Sequence, residues 1–200
     1  IDEIGEVERV APFEEKRMAA KFSNTSAETT IAGSTIDFRF IRNYELKNGE
    51  FFSEIDVKTA NRVAIIGMTV VKNLFGKEDP VGQVIRVHFI PFKIIGVFEP
   101  KGVDTNGLDQ DDLVLIPLST YMRRIVNQTF VSRIFVQASS RKNIPKASEK
   151  IRELLRESHK LTDERNDDFT LISQLDIEEL TKETTEMFTK LIVGVAGISL

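Results

Sequence analysis

The sequence predicts an α+β fold. Short apolar stretches bounded by turn residues read as strands, an amphipathic helix is written into residues 144–159, and the texture of the chain changes near Arg62 and again near Val131. A length of 200 residues suits one or two compact units able to bury a core unaided.

Taken in order, residues 7–21 (VERVAPFEEKRMAAK) alternate apolar positions and suit an edge strand that tolerates Pro12. Strands are also expected at 29–31 and 35–41, separated by the turn signals Ser23-Asn24-Thr25-Ser26 and Gly33-Ser34. Residues 44–56 (YELKNGEFFSEID) carry an Asn48-Gly49 turn ahead of an aromatic pair. RVAIIG (62–67) is a buried strand by its β-branched run, MTVVKNLF (68–75) a short helix, and Gly76 its stop. Asp79-Pro80-Val81-Gly82 forms a tight turn into two strands, 83–89 and 92–100, joined around Pro91. Phe75, Val81 and Val84 are candidate core residues, while Gly67, Gly76, Pro80 and Gly82 serve turns.

The polar stretch 101–112 (KGVDTNGLDQDD) reads as a surface loop leading to the strand 113–117, after which Ser119 is placed to cap a short helix. A strand over 131–138, the helix 144–159 with Ile144, Ala147, Ile151, Leu154 and Leu155 on one stripe, and a strand over 168–173 make a β-α-β pattern. Pro145 fits the first turn of that helix. A charged helix over 178–190 then runs into LIVGVAGISL (191–200), ten residues without a charge. That run is half the length of a membrane span, and it reads either as a packed helix or as the opening of a truncated transmembrane helix, which Gly194, Gly197 and Ser199 favour.

Composition narrows the function. The chain carries 27 Lys and Arg against 31 Asp and Glu, a net charge of −4, which offers no basic stripe for nucleic acid. With no Cys it has no disulfide framework, no zinc–thiolate site and no thiol nucleophile. Nucleophile-elbow, phosphate-loop and dinucleotide fingerprints are missing, so no ATP site and no hydrolase are expected. His88 reads as a strand residue and His159 as a helix C-terminal residue, too far apart for a shared metal site. The acids of the 101–112 loop lack the spacing of a calcium loop. A binding or mechanical role beside a membrane remains, with a stand-alone α/β ligand-binding module, its pocket supplied by the 14 Phe, as the alternative.

Several phrases, in order, resemble the extracytoplasmic (periplasmic core) domain of MacB/FtsX-type ABC transporter permeases: YELKNGEFFSEID (44–56), RVAIIGMTVVKNLFGKEDPVGQVIRV (62–87), FKIIGVFEPKG (92–102), DDLVLIPLSTY (111–121), KASEKIRELLRESHK (146–160), NDDFTLIS (166–173) and MFTKLIVGVAGISL (187–200). The resemblance implies two α/β subdomains: a porter-like one from residues 1–61 and 131–186, and a smaller α/β-rich one inserted at 62–130. Residues 187–200 would begin a truncated transmembrane helix. It implies a non-catalytic domain that couples cytoplasmic ATP hydrolysis to extracytoplasmic movement for export of a macrolide, peptide or lipoprotein. No cofactor is implied here, ATP being bound by a separate nucleotide-binding domain. The implied partners are a second permease copy, the ABC ATPase, a periplasmic adaptor, an outer-membrane channel and, through flanking helices, the inner membrane, which a multi-pass permease would span with this region periplasmic. For a docking partner the exposed loop offers Lys101, Asp104, Asn106 and Asp109.

Overall fold

Alternation over the first strand produces a longer element than expected, β1 (Val7–Phe22), in a computed structural model that describes residues 1–105, 107–162 and 166–198. From Phe13 it pairs antiparallel with β2 (Thr25–Ser34) across the two-residue turn Ser23-Asn24, and Ala20 and Lys21 also pair with a later strand. It is therefore an interior strand rather than an edge. Pro12 is tolerated because it precedes the β2 ladder, and its carbonyl accepts from Ser34 Oγ at 2.8 Å. Gly33-Ser34, expected as a turn, lies in β2. A Cβ at Gly33 would sit 2.3 Å from Tyr121 Cβ, so the glycine admits an aromatic ring against the strand.

Residues 35–41 do not form a strand. Their alternation gives way to the helical turn α1 (Asp37–Ile41), because coiling there buries Phe38 in an aromatic cluster while leaving Phe40 46% exposed. Asn48-Gly49 ends the short strand β3 (Leu46–Gly49) at a bulge, where Gly49 has φ +84° and a Cβ would lie 2.1 Å from Ile95 O. Next, α2 (Glu54–Thr59) opens on a capping box between Ser53 and Asp56.

β4 (Val63–Ile66) and α3 (Met68–Leu74) form where expected. β5 (Val84–Val87) and β6 (Ile90–Phe98) are joined at His88-Phe89, both with positive φ, and Pro91 lies inside β6 opposite Arg86 rather than in the turn. The pleat places Val84 on the outer face beside Arg86, half exposed, so it is not core. β7 (Leu113–Pro117) is wholly buried. α4 (Leu118–Thr120) continues into a π-helical turn over Tyr121–Val126. Ser119 does not cap α4; its hydroxyl donates to Val57 O.

The last strand is β8 (Arg133–Ala138), followed by α5 (Ile144–Ser158) and α6 (Gln174–Ile198). Residues 168–173 form no ladder. Asp167 and Asp168 instead bond side chains of α5 and its cap: Arg152 and Arg156 hold Asp167, and His159 Nδ1 lies 2.7 Å from Asp168 Oδ1.

The strands form one sheet in the order β2-β7-β4-β6-β5-β1-β8, with β3 beside β6, and the β1–β2 pairing closes the first six into a ring. Two parallel pairs, β2–β7 and β4–β6, sit among antiparallel ones. Along β4 and β7 successive residues alternate between two apolar clusters, Ala64, Ile66, Val114 and Ile116 in one, Ile65, Leu113 and Leu115 in the other. Burial on both faces is why these strands read as unbroken apolar runs.

Contacts divide the chain into two compact units, Arg9–Gln137 and, separately, residues 1–8 with the chain from 138 onward. That division falls at Glu8 and Gln137, not at the texture changes near Arg62 and Val131. The change at Arg62 marks entry into the doubly buried centre of a sheet that already contains β1 and β2. In the smaller unit, Glu6 receives Lys146 Nζ at 2.8 Å and Lys150 Nζ at 2.6 Å. Arg141 pairs with Glu178, joining the turn before α5 to the first third of α6. Among the described residues no helix is long and apolar enough to cross a membrane.

Candidate functional site

The loop after β6 is polar enough to be solvated, yet its carboxylates are turned to its own backbone. Asp111, only 7% exposed, accepts from Lys101 N at 2.8 Å and Gly102 N at 3.0 Å. Asp109 accepts from Asp111 N at 2.8 Å and Thr69 Oγ1 at 2.7 Å, and Asp104 accepts from Leu108 N at 2.9 Å. Three of the four residues singled out in the sequence are thus ordered by internal bonds, and Asn106 lies outside the described residues.

Lys101 reaches away from the loop. Its ammonium lies 4.4 Å over the Tyr44 ring and donates to Arg42 O at 2.6 Å and Asn43 O at 3.1 Å, the carbonyls that end α1. Burial, and then the Arg42 guanidinium, lower its pKa from the ordinary lysine value. Tyr44, whose hydroxyl donates to Gln110 O at 3.2 Å, is pushed up to about 12 by burial and so remains a donor.

Around this lysine the fold assembles a surface of cations on aromatic rings, all within the larger unit. Phe13 stacks on Phe38 at 5.1 Å, Phe38 on Tyr44 at 5.4 Å, and Phe135 meets Phe13 edge-on at 5.3 Å. Arg9 and Arg39 lie 4.4 and 4.7 Å from the Phe40 centroid, Arg39 also 5.3 Å from Phe51, and Arg42 5.2 Å from Phe135. Arg133 covers Phe13 and Phe135 at 5.7 and 5.8 Å. Arg9 is paired with Asp37 at 3.5 Å and Arg133 with Glu15 at 3.2 Å. Arg39 and Arg42 have no carboxylate within ion-pair distance among the described residues. The signal for this surface was DFRFIRNY (37–44), where Phe and Arg interleave; read as a strand, it sends alternate residues to opposite sides and the grouping disappears. Lys101 is the one predicted site residue that belongs to it.

Residues 1–154 match the model of the MacB-like periplasmic core domain. The chain belongs to that family. Within it, this core domain is 35% identical over 173 residues to the macrolide export ATP-binding/permease protein MacB of Rhodospirillum rubrum, covering 86% of this chain and 26% of the relative. It is 32% identical to the protein of the same name from Chlorobium luteolum, covering 88% and 26%. The pyoverdine export ATP-binding/permease protein PvdT of Pseudomonas savastanoi pv. phaseolicola is 29% identical over all of this chain and 30% of its own length. The MacB-like core domain thus spans between a quarter and a third of these curated relatives. Its α+β fold is shared with the periplasmic region of MacB from Actinobacillus actinomycetemcomitans, at a TM-score of 0.79 and 22% identity over 90% of this chain and 78% of that one. It is shared also with the extracellular domain of the noncanonic ABC-type transporter YknZ, at 0.72 and 20% over 81% of each.

Proposed function

We propose that this chain is the non-catalytic extracytoplasmic domain of an ABC transporter permease, carrying movement outward from ATP hydrolysis on a separate cytoplasmic domain. The match of residues 1–154 to the MacB-like periplasmic core domain carries this reading. Relatives named for macrolide and pyoverdine export favour a small-molecule cargo over a peptide or a lipoprotein.

α6 is the transmitting element in this scheme. It is a 25-residue helix whose backbone bonds are internal, rising about 1.5 Å per residue as a stiff rod. The solvent-exposed Arg141–Glu178 pair links it to the turn before α5. Its C-terminal end would continue into a membrane span of an inner-membrane, multi-pass permease that acts as a homodimer. A periplasmic adaptor, and in cells with two membranes an outer channel, would receive the cargo.

The test is made on the full-length protein in its own cell. Membranes are fractionated and protease is applied outside the inner membrane. Extraction only by detergent, with cleavage inside residues 1–186 from outside, is the expected result. Recovery in the soluble cytosolic fraction would overturn the permease reading.

A further inference from the structure

The cation-on-aromatic surface around α1 is not used by force transmission, and it runs against the charge of the chain. In a protein of net charge −4, Arg39 and Arg42 are left without a carboxylate among the described residues while Arg9 and Arg133 beside them are paired. Lys101, fixed by two backbone carbonyls, adds a third positive charge close enough to Arg42 to be disfavoured by it. Each of the two guanidiniums lies over an aromatic ring, Arg39 at 4.7 Å and Arg42 at 5.2 Å from the ring centroid. Arg39 in α1 lies over the exposed Phe40 ring, which Arg9 also faces, and Arg42, the cap that follows α1, lies over Phe135. Arginine and partly exposed aromatic residues are the groups that dominate protein interfaces.

We propose that Arg39, Arg42 and Lys101, with the ring of Phe40, form a docking surface for an acidic segment of a partner protein. The two guanidiniums take carboxylates in bidentate fashion, and the Phe40 ring covers the aliphatic part of the segment. A protein segment fits better than a lipid surface because Asp37 and Glu15 stay partly exposed at the border. A uniformly anionic membrane would meet those carboxylates, whereas a segment of mixed charge can avoid them. The proposal stands apart from the transport reading, since it requires only a partner chain.

The experiment measures fluorescence anisotropy of a labelled peptide that alternates Glu with Leu, titrated with the 200-residue chain. Saturable binding that weakens as salt rises is expected, with a loss of about tenfold or more in the double variant Arg39→Gln/Arg42→Gln at unchanged melting temperature. Lys72→Gln/Lys77→Gln removes the same charge elsewhere and should bind as the parent does. No binding by the parent, full binding by the arginine variant, or an equal loss in the lysine variant would each overturn the proposal. So would displacement by inorganic phosphate at comparable affinity, which would make the site one for small anions. Arginine-dependent binding to phosphatidylglycerol vesicles without binding to the peptide would assign the surface to lipid instead. No membrane transport enters the assay, so its failure leaves the permease reading to the fractionation experiment.

Discussion

Glu6 takes ammonium groups from consecutive turns of α5, Lys146 and Lys150, while its backbone carbonyl accepts from Ser139 N at 2.9 Å and Ser139 Oγ at 3.1 Å. One residue thus ties the first residues of the chain to the start and middle of a helix more than a hundred positions later. Hydrogen bonds from Lys146 and then Lys150 hold its carboxyl well below the ordinary 4.5, at about 2. A depressed carboxyl stabilises the fold above its unfolded pKa, and the contribution disappears as pH falls through the folded one. The smaller unit should therefore lose stability between about pH 4.5 and pH 2 through this group. Melting curves recorded from pH 7 to pH 2 should show that Glu6→Gln melts lower at pH 7 and that its deficit shrinks toward pH 2. A constant deficit would assign the effect to packing alone. At this scale the sequence exposed composition but not pairing: Lys101 was picked out for sitting in a polar loop, and its bonds to Arg42 and Asn43, 59 and 58 residues away, have no local signature.

Elements were legible where one pattern dominated. The apolar runs of β4 and β7, the stripe of α5 and the stop at Gly76 are local, and the structure keeps them. Where two patterns fitted, tertiary burial decided, as in α1, whose alternation was overruled by the stacking of Phe38 on Phe13. The β5–β6 hairpin went astray for another reason. Its turn uses His88 and Phe89 at φ +48° and +69° instead of the Asn-Gly that such a turn favours, so Pro91 drew the boundary. Phe89 is 91% exposed and repays none of that backbone strain by burial. Replacing the pair with Asn-Gly should stabilise the larger unit by about 1 kcal/mol, read as a higher urea midpoint at unchanged slope. A lower midpoint would mean that the two side chains hold the hairpin together.

The whole sheet is where the sequence was least informative, because its order is set by pairings between distant segments. β2 lies beside β7 and β4 beside both β6 and β7, and β8 reaches back to β1 through Arg133 and Glu15, 118 residues apart. No periodicity within a segment encodes such neighbours. Without β7 the ring cannot close. A fragment ending at residue 112 should stay largely unfolded by circular dichroism and amide exchange, and one ending at residue 137 should regain protection in β2 and β4. A protected shorter fragment would show that the ring is dispensable.

That ring also sets a schedule. Its β2–β7 pairing joins segments made far apart in time, so the cost of bringing them together precedes most of the reward, and sheets of this kind fold in milliseconds to seconds rather than microseconds. Residues 1–100 have no completed sheet to enter until residues 113–117 follow them out of the ribosome. For a segment that the proposed function requires to cross a membrane before folding, this delay is useful: the chain stays threadable through a narrow translocation pore until β7 has followed β2 to the far side.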